Sequence, residues 1–226
     1  RNPVLGPISA ASRKLSAGGK RERKGTCEIR ELEGLPLQYN AGESGVITER
    51  TMKVENDKIE HTLQGLVEVN KNNKEAGQIV FLELYGKSAV ERGQMDEDIF
   101  KEMKRNLIDK HGFKKEDIAI ITGSYITNEK GNEVMTTGDK KDKRKSDIET
   151  DYNEGKIKIL FGTTQSIGEG MNLQIKTTDI WHLDIPFKPG EFRQRNGRGV
   201  RAGNENDIVN IHYLFMADSY DLMSFE

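Results

Sequence analysis

The sequence has one cysteine, Cys27, in 226 residues. Disulfide scaffolds need paired cysteines and zinc ribbons or fingers need several, so both are excluded. No stretch approaches about 18 consecutive apolar residues, which excludes a membrane-spanning helix. An excess of one charge sign is also missing. Lys and Arg number 35 against 37 Asp and Glu, a formal net charge of −2. That argues against a wholesale basic nucleic-acid binder, although a total says nothing about patches. The histidines at 61, 111, 182 and 212 are scattered. They form no metal-ligand spacing and no Ser-His-Asp or Cys-His set. His182, beside Trp181, reads as packed rather than catalytic. No secretory pattern opens the chain, and with the lone cysteine this leads us to expect a cytoplasmic protein.

What is there is polar but foldable, with 34% apolar and 32% charged residues. The chain opens on Arg1, and the helical-looking run 218–226 closes it without a capping signal. A fragment of a longer protein is the expectation. Charge is unevenly spread. Residues 1–30 hold eight basic groups against Glu22 and Glu28, a local +6. A solvated linker accounts for such a run, and a nucleic-acid-contacting arm is the alternative. We read residues 1–51 as an N-terminal extension of irregular structure and 52–226 as one domain.

Apolar residues at 59, 63, 66 and 67 predict a helix over 52–73. From 78 the rhythm changes to short continuous apolar runs at 79–82, 118–121, 157–161, 180–183 and 208–215, as in buried parallel strands. Helix-length segments separate most of them, at 99–111 and 139–154 among others. Residues 124–138 read as a polar surface loop. The alternation predicts an α/β fold with a mainly parallel sheet and helices on both faces. Ligands of such sheets bind where strands end, so residues just after strands carry the information.

Two such places stand out. After the strand at 157–161 come Gly162, Thr163, Thr164, Ser166, Gly168, Gly170 and Asn172. Glycine permits close backbone approach and hydroxyls sit beside free N–H groups, which phosphate contact requires. Ordinary turn chemistry fits the same residues. After the strand at 180–183, residues 188–201 carry Lys188, Arg193, Arg195, Arg198 and Arg201 against Glu191, a local +4. Arg195, Arg198 and Arg201 stand three apart and are expected to share a helix face. Guanidinium groups suit bidentate recognition of phosphate oxygens.

Gln194-Arg195-Asn196-Gly197-Arg198-Gly199-Val200-Arg201 resembles motif VI, Q-R-x-G-R-x-x-R, of superfamily 2 helicases and translocases. Residues 162–174 resemble motif V in its Swi/Snf-type form, G-x-G-x-N-L-[TQ]. Residues 78–84 are placed like the motif IV strand. Leu183-Asp184-Ile185-Pro186-Phe187-Lys188-Pro189 is similar to a strand end in the helicase–methylase proteins of phages and mobile elements.

The resemblance implies a three-layer RecA-like domain of P-loop NTPase type, the second lobe of a two-lobed motor. ATP and Mg²⁺ would be held mainly by an N-terminal RecA-like lobe outside this chain. Arg198 and Arg201 are then the expected arginine fingers, with Gln194 ordering motif VI. Gly170 and Asn172 are expected at the nucleotide, Asn172 near the ribose. Thr163 and the turn Thr122-Gly123-Ser124 are expected on nucleic-acid phosphates. DNA is the expected partner because this form of motif V goes with duplex DNA. No metal ligand is assigned to this chain, and the oligomeric state is left open.

Gly86-Lys87-Ser88 imitates the end of a P-loop, but the glycine required five residues before Gly86 is Phe81. No Walker B sequence occurs, so the chain alone is expected not to hydrolyse ATP. Residues 139–147 hold five basic groups and three Asp and read as a solvated helix face. Two other functions compete with the motor lobe. A non-catalytic nucleic-acid-binding module would not need both Arg198 and Arg201. A doubly wound metabolic enzyme would need a G-x-G-x-x-G turn after its first strand, and none is present.

Overall fold

The computed structural model describes residues 28–31, 57–83, 85–91, 93, 98–167, 170–186 and 189–214. The basic residues 1–24, Cys27, Leu84, Gly168, Glu169, Phe187, Lys188 and the run 218–226 lie outside them.

An eight-stranded sheet forms the middle of the fold, in the order β1-β8-β7-β2-β6-β3-β4-β5. Its strands are β1 (Glu28–Glu31), β2 (Gly77–Phe81), β3 (Ile118–Ile121), β4 (Ile126–Thr127), β5 (Glu133–Val134), β6 (Ile159–Gly162), β7 (Thr177–His182) and β8 (Ile208–Tyr213). The six strands from β1 to β3 in that order pair in parallel, and β4 and β5 add an antiparallel edge. The helices are α1 (Asp57–Asn72), α2 (Lys87–Glu91), α3 (Ile99–His111), α4 (Asp139–Asn153), α5 (Thr164–Ile167) and α6 (Pro189–Gly199).

Successive side chains of a strand face opposite ways, so each buried strand feeds two cores. Val80, Ile118, Ile120, Ile159, Phe161 and Trp181 pack with Ile59, Leu63 and Leu66 of α1 and Met103 and Leu107 of α3. Ile79, Phe81, Ala119, Ile121, Leu160 and Ile180 pack with Ile148 and Tyr152 of α4 and with Leu173. The result is three layers, as the unbroken apolar runs require. Helix α1 lies so close that a Cβ on Gly65 would stand 2.2 Å from the Trp181 ring. Helix α3 is defined at both ends: Asp98 accepts from Lys101 N at 3.1 Å, and Gly112 closes it in the left-handed conformation. Among the described residues no helix is long and apolar enough to cross a membrane.

The expected strands are present, with ends shifted by up to three residues. Two findings differ from expectation. Residues 124–138 hold β4 and β5 rather than an unstructured loop. Their anchor is buried Lys104 on α3, whose Nζ donates to Gly131 O and Glu133 Oε1, both at 2.7 Å. Burying an ammonium requires such partners, so this lysine fixes the segment in place. Residues 28–31 add β1 alongside β8. Glu28-Ile29-Arg30-Glu31 has a single apolar residue, which suits a short edge strand and left no apolar run to read.

Candidate cleft and nucleic-acid interface

The expected site residues fall into two groups. The first lies on the turns after β3 and β6, which are neighbours in the sheet. Ser166 Oγ donates to Ile121 O at 2.6 Å and accepts from Thr163 Oγ1 at 2.8 Å and Thr163 N at 3.0 Å. That hydroxyl staples Thr163 to the end of β3. Thr122 is fully buried, and its Oγ1 accepts from Ser124 N at 3.2 Å and Tyr125 N at 3.0 Å. It closes a hydroxyl-capped turn. The Thr122 side chain is therefore turned inward, and Gly123 and Ser124 form the accessible part of the turn.

The second group forms where residues 170–173 cross the end of α6. Gly170 is exposed at φ 78° with open space where a Cβ would stand. Arg198 Nη1 donates to Met171 O at 3.0 Å, and Arg198 O accepts from Leu173 N at 3.3 Å. Arg201 Nη1 donates to Asn172 Oδ1 at 2.6 Å. Asn172 O in turn accepts from Asn153 Nδ2, at the end of α4. Gln194 is half-buried one turn before Arg198, and its carbonyl accepts from Arg198 Nε at 3.3 Å. Arg198, Arg201, Gln194, Asn172 and Gly170 are thus assembled on one flank. Gly199 allows α6 to sit there, because a Cβ would stand 2.5 Å from Thr177 Cγ2.

Arg195 departs from the expectation that it shares a face with Arg198 and Arg201. Helix α6 ends at Gly199, so Arg201 lies beyond it, and Arg195 points inward with its side chain fully buried. Its Nε donates to Thr164 Oγ1 at 2.6 Å, its Nη1 to Asp184 Oδ1 at 2.9 Å and its Nη2 to Glu83 Oε1 at 3.2 Å. Glu83 also accepts from Thr164 N, and Asp184 accepts from Glu83 N. One guanidinium therefore ties together the residues that follow β2, β6 and β7. Its fork of donors is what this three-way junction demands. Glu83 and Asp184 drew no functional reading from the sequence. Their signal was a carboxylate directly after each of two buried strands.

His182 is packed, as expected. It stacks on Phe81 and Tyr213, with Nε2 2.8 Å from Asn196 Oδ1. Burial, and then the neighbouring Arg195 charge, hold its pKa down at about 3 against an ordinary 6.5. The folded state thus refuses a proton that the unfolded chain accepts below pH 6.5. Stability is complete above that pH and falls as pH drops toward 3, by about 1.4 kcal/mol per pH unit from this group. Asp98 and Asp184, both pushed up by burial, act oppositely nearer the acid range. Urea unfolding between pH 6.5 and 5 is expected to show the loss, and His182→Gln to remove about one proton's worth of slope. An unchanged slope in that variant would refute the assignment.

Residues 57–203 match the family described as helicase conserved C-terminal domain. The chain belongs to that family. It is 39% identical over 74 residues to defense against restriction protein B of Escherichia phage P1, a match covering 33% of this chain and 3% of that protein. It is 41% identical over 64 residues to the uncharacterized ATP-dependent helicase YqhH of Bacillus subtilis (strain 168), covering 28% of this chain and 11% of that protein. Both matches take in only a small part of the relative. The C-terminal part of the Fun30 ATPase domain has a similar structure, with a TM-score of 0.52 at 18% identity, over 79% of this chain and 47% of that one. The fold is therefore the RecA-like fold of a helicase C-terminal lobe. Among the described residues of this helicase-family domain, no group of three or more His, Cys, Asp or Glu is placed to hold a metal ion.

Proposed function

We propose that this chain is the second motor lobe of an ATP-dependent DNA helicase or translocase. In this reading Arg198 and Arg201 reach across a cleft to ATP and Mg²⁺ held mainly by an N-terminal RecA-like lobe. Bound ATP supplies the phosphoryl group whose transfer to water drives movement. The two guanidinium groups offset the charge that builds on that group, while Gln194 orders the helix that carries them. Asn172 and Gly170 border the nucleotide. Gly123, Ser124, Thr163 and the backbone of Thr122 follow a nucleic-acid strand.

The observation that carries this reading is the pairing of Arg201 with the Asn172 amide and of Arg198 with the Met171 carbonyl. The uncharged Asn172 amide orients the Arg201 guanidinium without neutralising it. Arg201 forms no ion pair among the described residues. A cation held by neutral partners at a surface suits an incoming phosphate.

The test uses the protein at its full natural length. ATP turnover with duplex DNA is expected to exceed turnover without it. DNA binding with no stimulated turnover would replace this reading by that of a non-catalytic binding module.

A further inference from the structure

Helix α4 is anchored at both ends. Near its start Lys141 Nζ donates to Thr122 O at 2.8 Å and Gly123 O at 3.0 Å, and Arg144 Nε donates to Thr127 O at 2.9 Å. These bonds hold the helix against the turn after β3 and against β4. At its end Tyr152 is fully buried, with Oη 2.9 Å from Thr177 Oγ1. The Thr177 hydroxyl gives its one proton to Leu173 O, so Tyr152 is the donor in that pair. The last turn of α4 is therefore a fixed platform beside the segment that crosses the end of α6.

Asn153 stands on that platform. Its side-chain amide bonds the segment at two points. Nδ2 donates to Asn172 O at 2.6 Å, and Oδ1 accepts from Ile175 N at 3.2 Å. One planar group thus spans residues 172–175. Asparagine carries a donor and an acceptor on one short stem, which this pair of backbone groups demands. Turning the amide over would set oxygen against oxygen and N–H against N–H, so the network fixes its orientation. Between the two points Leu173 N donates to Arg198 O. The carbonyl that Asn153 holds belongs to the residue whose side chain accepts from Arg201 at 2.6 Å. Holding that carbonyl sets the backbone from which the Asn172 side chain projects, and with it the direction of the Arg201 guanidinium.

We propose that Asn153 is a positioning residue for ATP turnover, acting on Arg201 through Asn172. It lies 19 residues before Asn172, outside the motifs that the sequence displays. The proposal rests on the finger reading under Proposed function and adds a residue that makes no contact with the phosphates itself. Such a residue acts on the rate more than on ATP affinity. The guanidinium that it aims matters most in the transition state, while ATP is held mainly by the other lobe.

DNA-stimulated ATP turnover of the full-length protein tests this, on variants that urea unfolding shows to be folded under the assay conditions. Asn153→Ala is expected to lower kcat about threefold to tenfold and to move KM for ATP by less than about twofold. Asn153→Asp keeps the size and the acceptor for Ile175 N but loses the donor to Asn172 O, and should show the same loss. It also reads the proposal if Asn153→Ala does not fold. The decisive arm is the cycle with Asn172→Ala. If Asn153 acts through the Asn172 side chain, adding Asn153→Ala to Asn172→Ala should lower kcat by less than about twofold further. Equal losses in the two backgrounds would mark a merely structural role, and parental kcat in both Asn153 variants would mark no role. Either result overturns the proposal and leaves the finger reading standing. Parental turnover in Arg201→Ala would overturn the finger reading, and the proposal with it.

Discussion

Arg201→Ala is expected to lower DNA-stimulated ATP turnover roughly a thousandfold, with folding stability changed by less than about 0.5 kcal/mol. The two expectations have one cause. Arg201 is exposed and among the described residues makes one hydrogen bond, to Asn172, so the fold loses little when it goes. A cation facing a phosphoryl group in transfer is worth far more. Arg198→Ala should reduce turnover comparably and cost about 1 kcal/mol besides, because it strips a hydrogen bond from the carbonyl of buried Met171. Arg201→Lys should recover only part of the rate, since an ammonium keeps the charge but loses the fork shared with Asn172. Asn172→Ala tests the orienting role, with a loss of about tenfold. Steady-state turnover and urea unfolding on the same preparations separate chemistry from stability. Losses below about tenfold for both Arg198→Ala and Arg201→Ala would sink the finger assignment.

Much of this arrangement was legible before the structure. Apolar runs such as Ile118-Ala119-Ile120-Ile121 are buried on both faces, and only a covered parallel sheet accommodates that. Motifs directly after strands placed Asn172, Arg198 and Arg201 in one region. What stayed hidden depends on side-chain direction. Arg195, Arg198 and Arg201 look equivalent as a string. A residue step of three turns a helix by about 300°, so the face drifts, and α6 stops before Arg201. Arg195 therefore points into the protein. Lys141 was hidden for a different reason. Its setting comes from two carbonyls 18 and 19 residues earlier in the chain, which no local pattern reveals. The β4–β5 edge was illegible because each strand has two residues and depends on Lys104, far from it in sequence.

Arg195→Ala is expected to be the most destabilising single change in the domain, at about 3–5 kcal/mol, because it strands buried charge. Asp184 would keep its carboxyl beside Glu83 with no cation between them. Glu83 is partly exposed and retains the Thr164 N–H, so Asp184 carries most of the penalty. Arg195→Met fills the same volume and should cost nearly as much, since packing is not what is lost. Adding Asp184→Asn to Arg195→Met should recover part of the stability by removing the orphaned charge. The substitution also removes the positive charge beside His182. Burial, the larger cause of that histidine's low pKa, would remain, so its pKa should rise only by the lesser share that the Arg195 charge supplies. A structural junction and a phosphate contact thus make opposite demands at this position. If Arg195 served phosphate, Arg195→Ala would abolish DNA-stimulated turnover in a protein of parental stability. If it is the junction, urea unfolding shifts first, and turnover follows the folded fraction. An unfolding cost below about 1 kcal/mol would reject the junction. The same guanidinium links Thr164, next to Thr163 at the end of β6, to the helix bearing Arg198. The two groups of site residues therefore share one rigid support, and its loss should disturb both together.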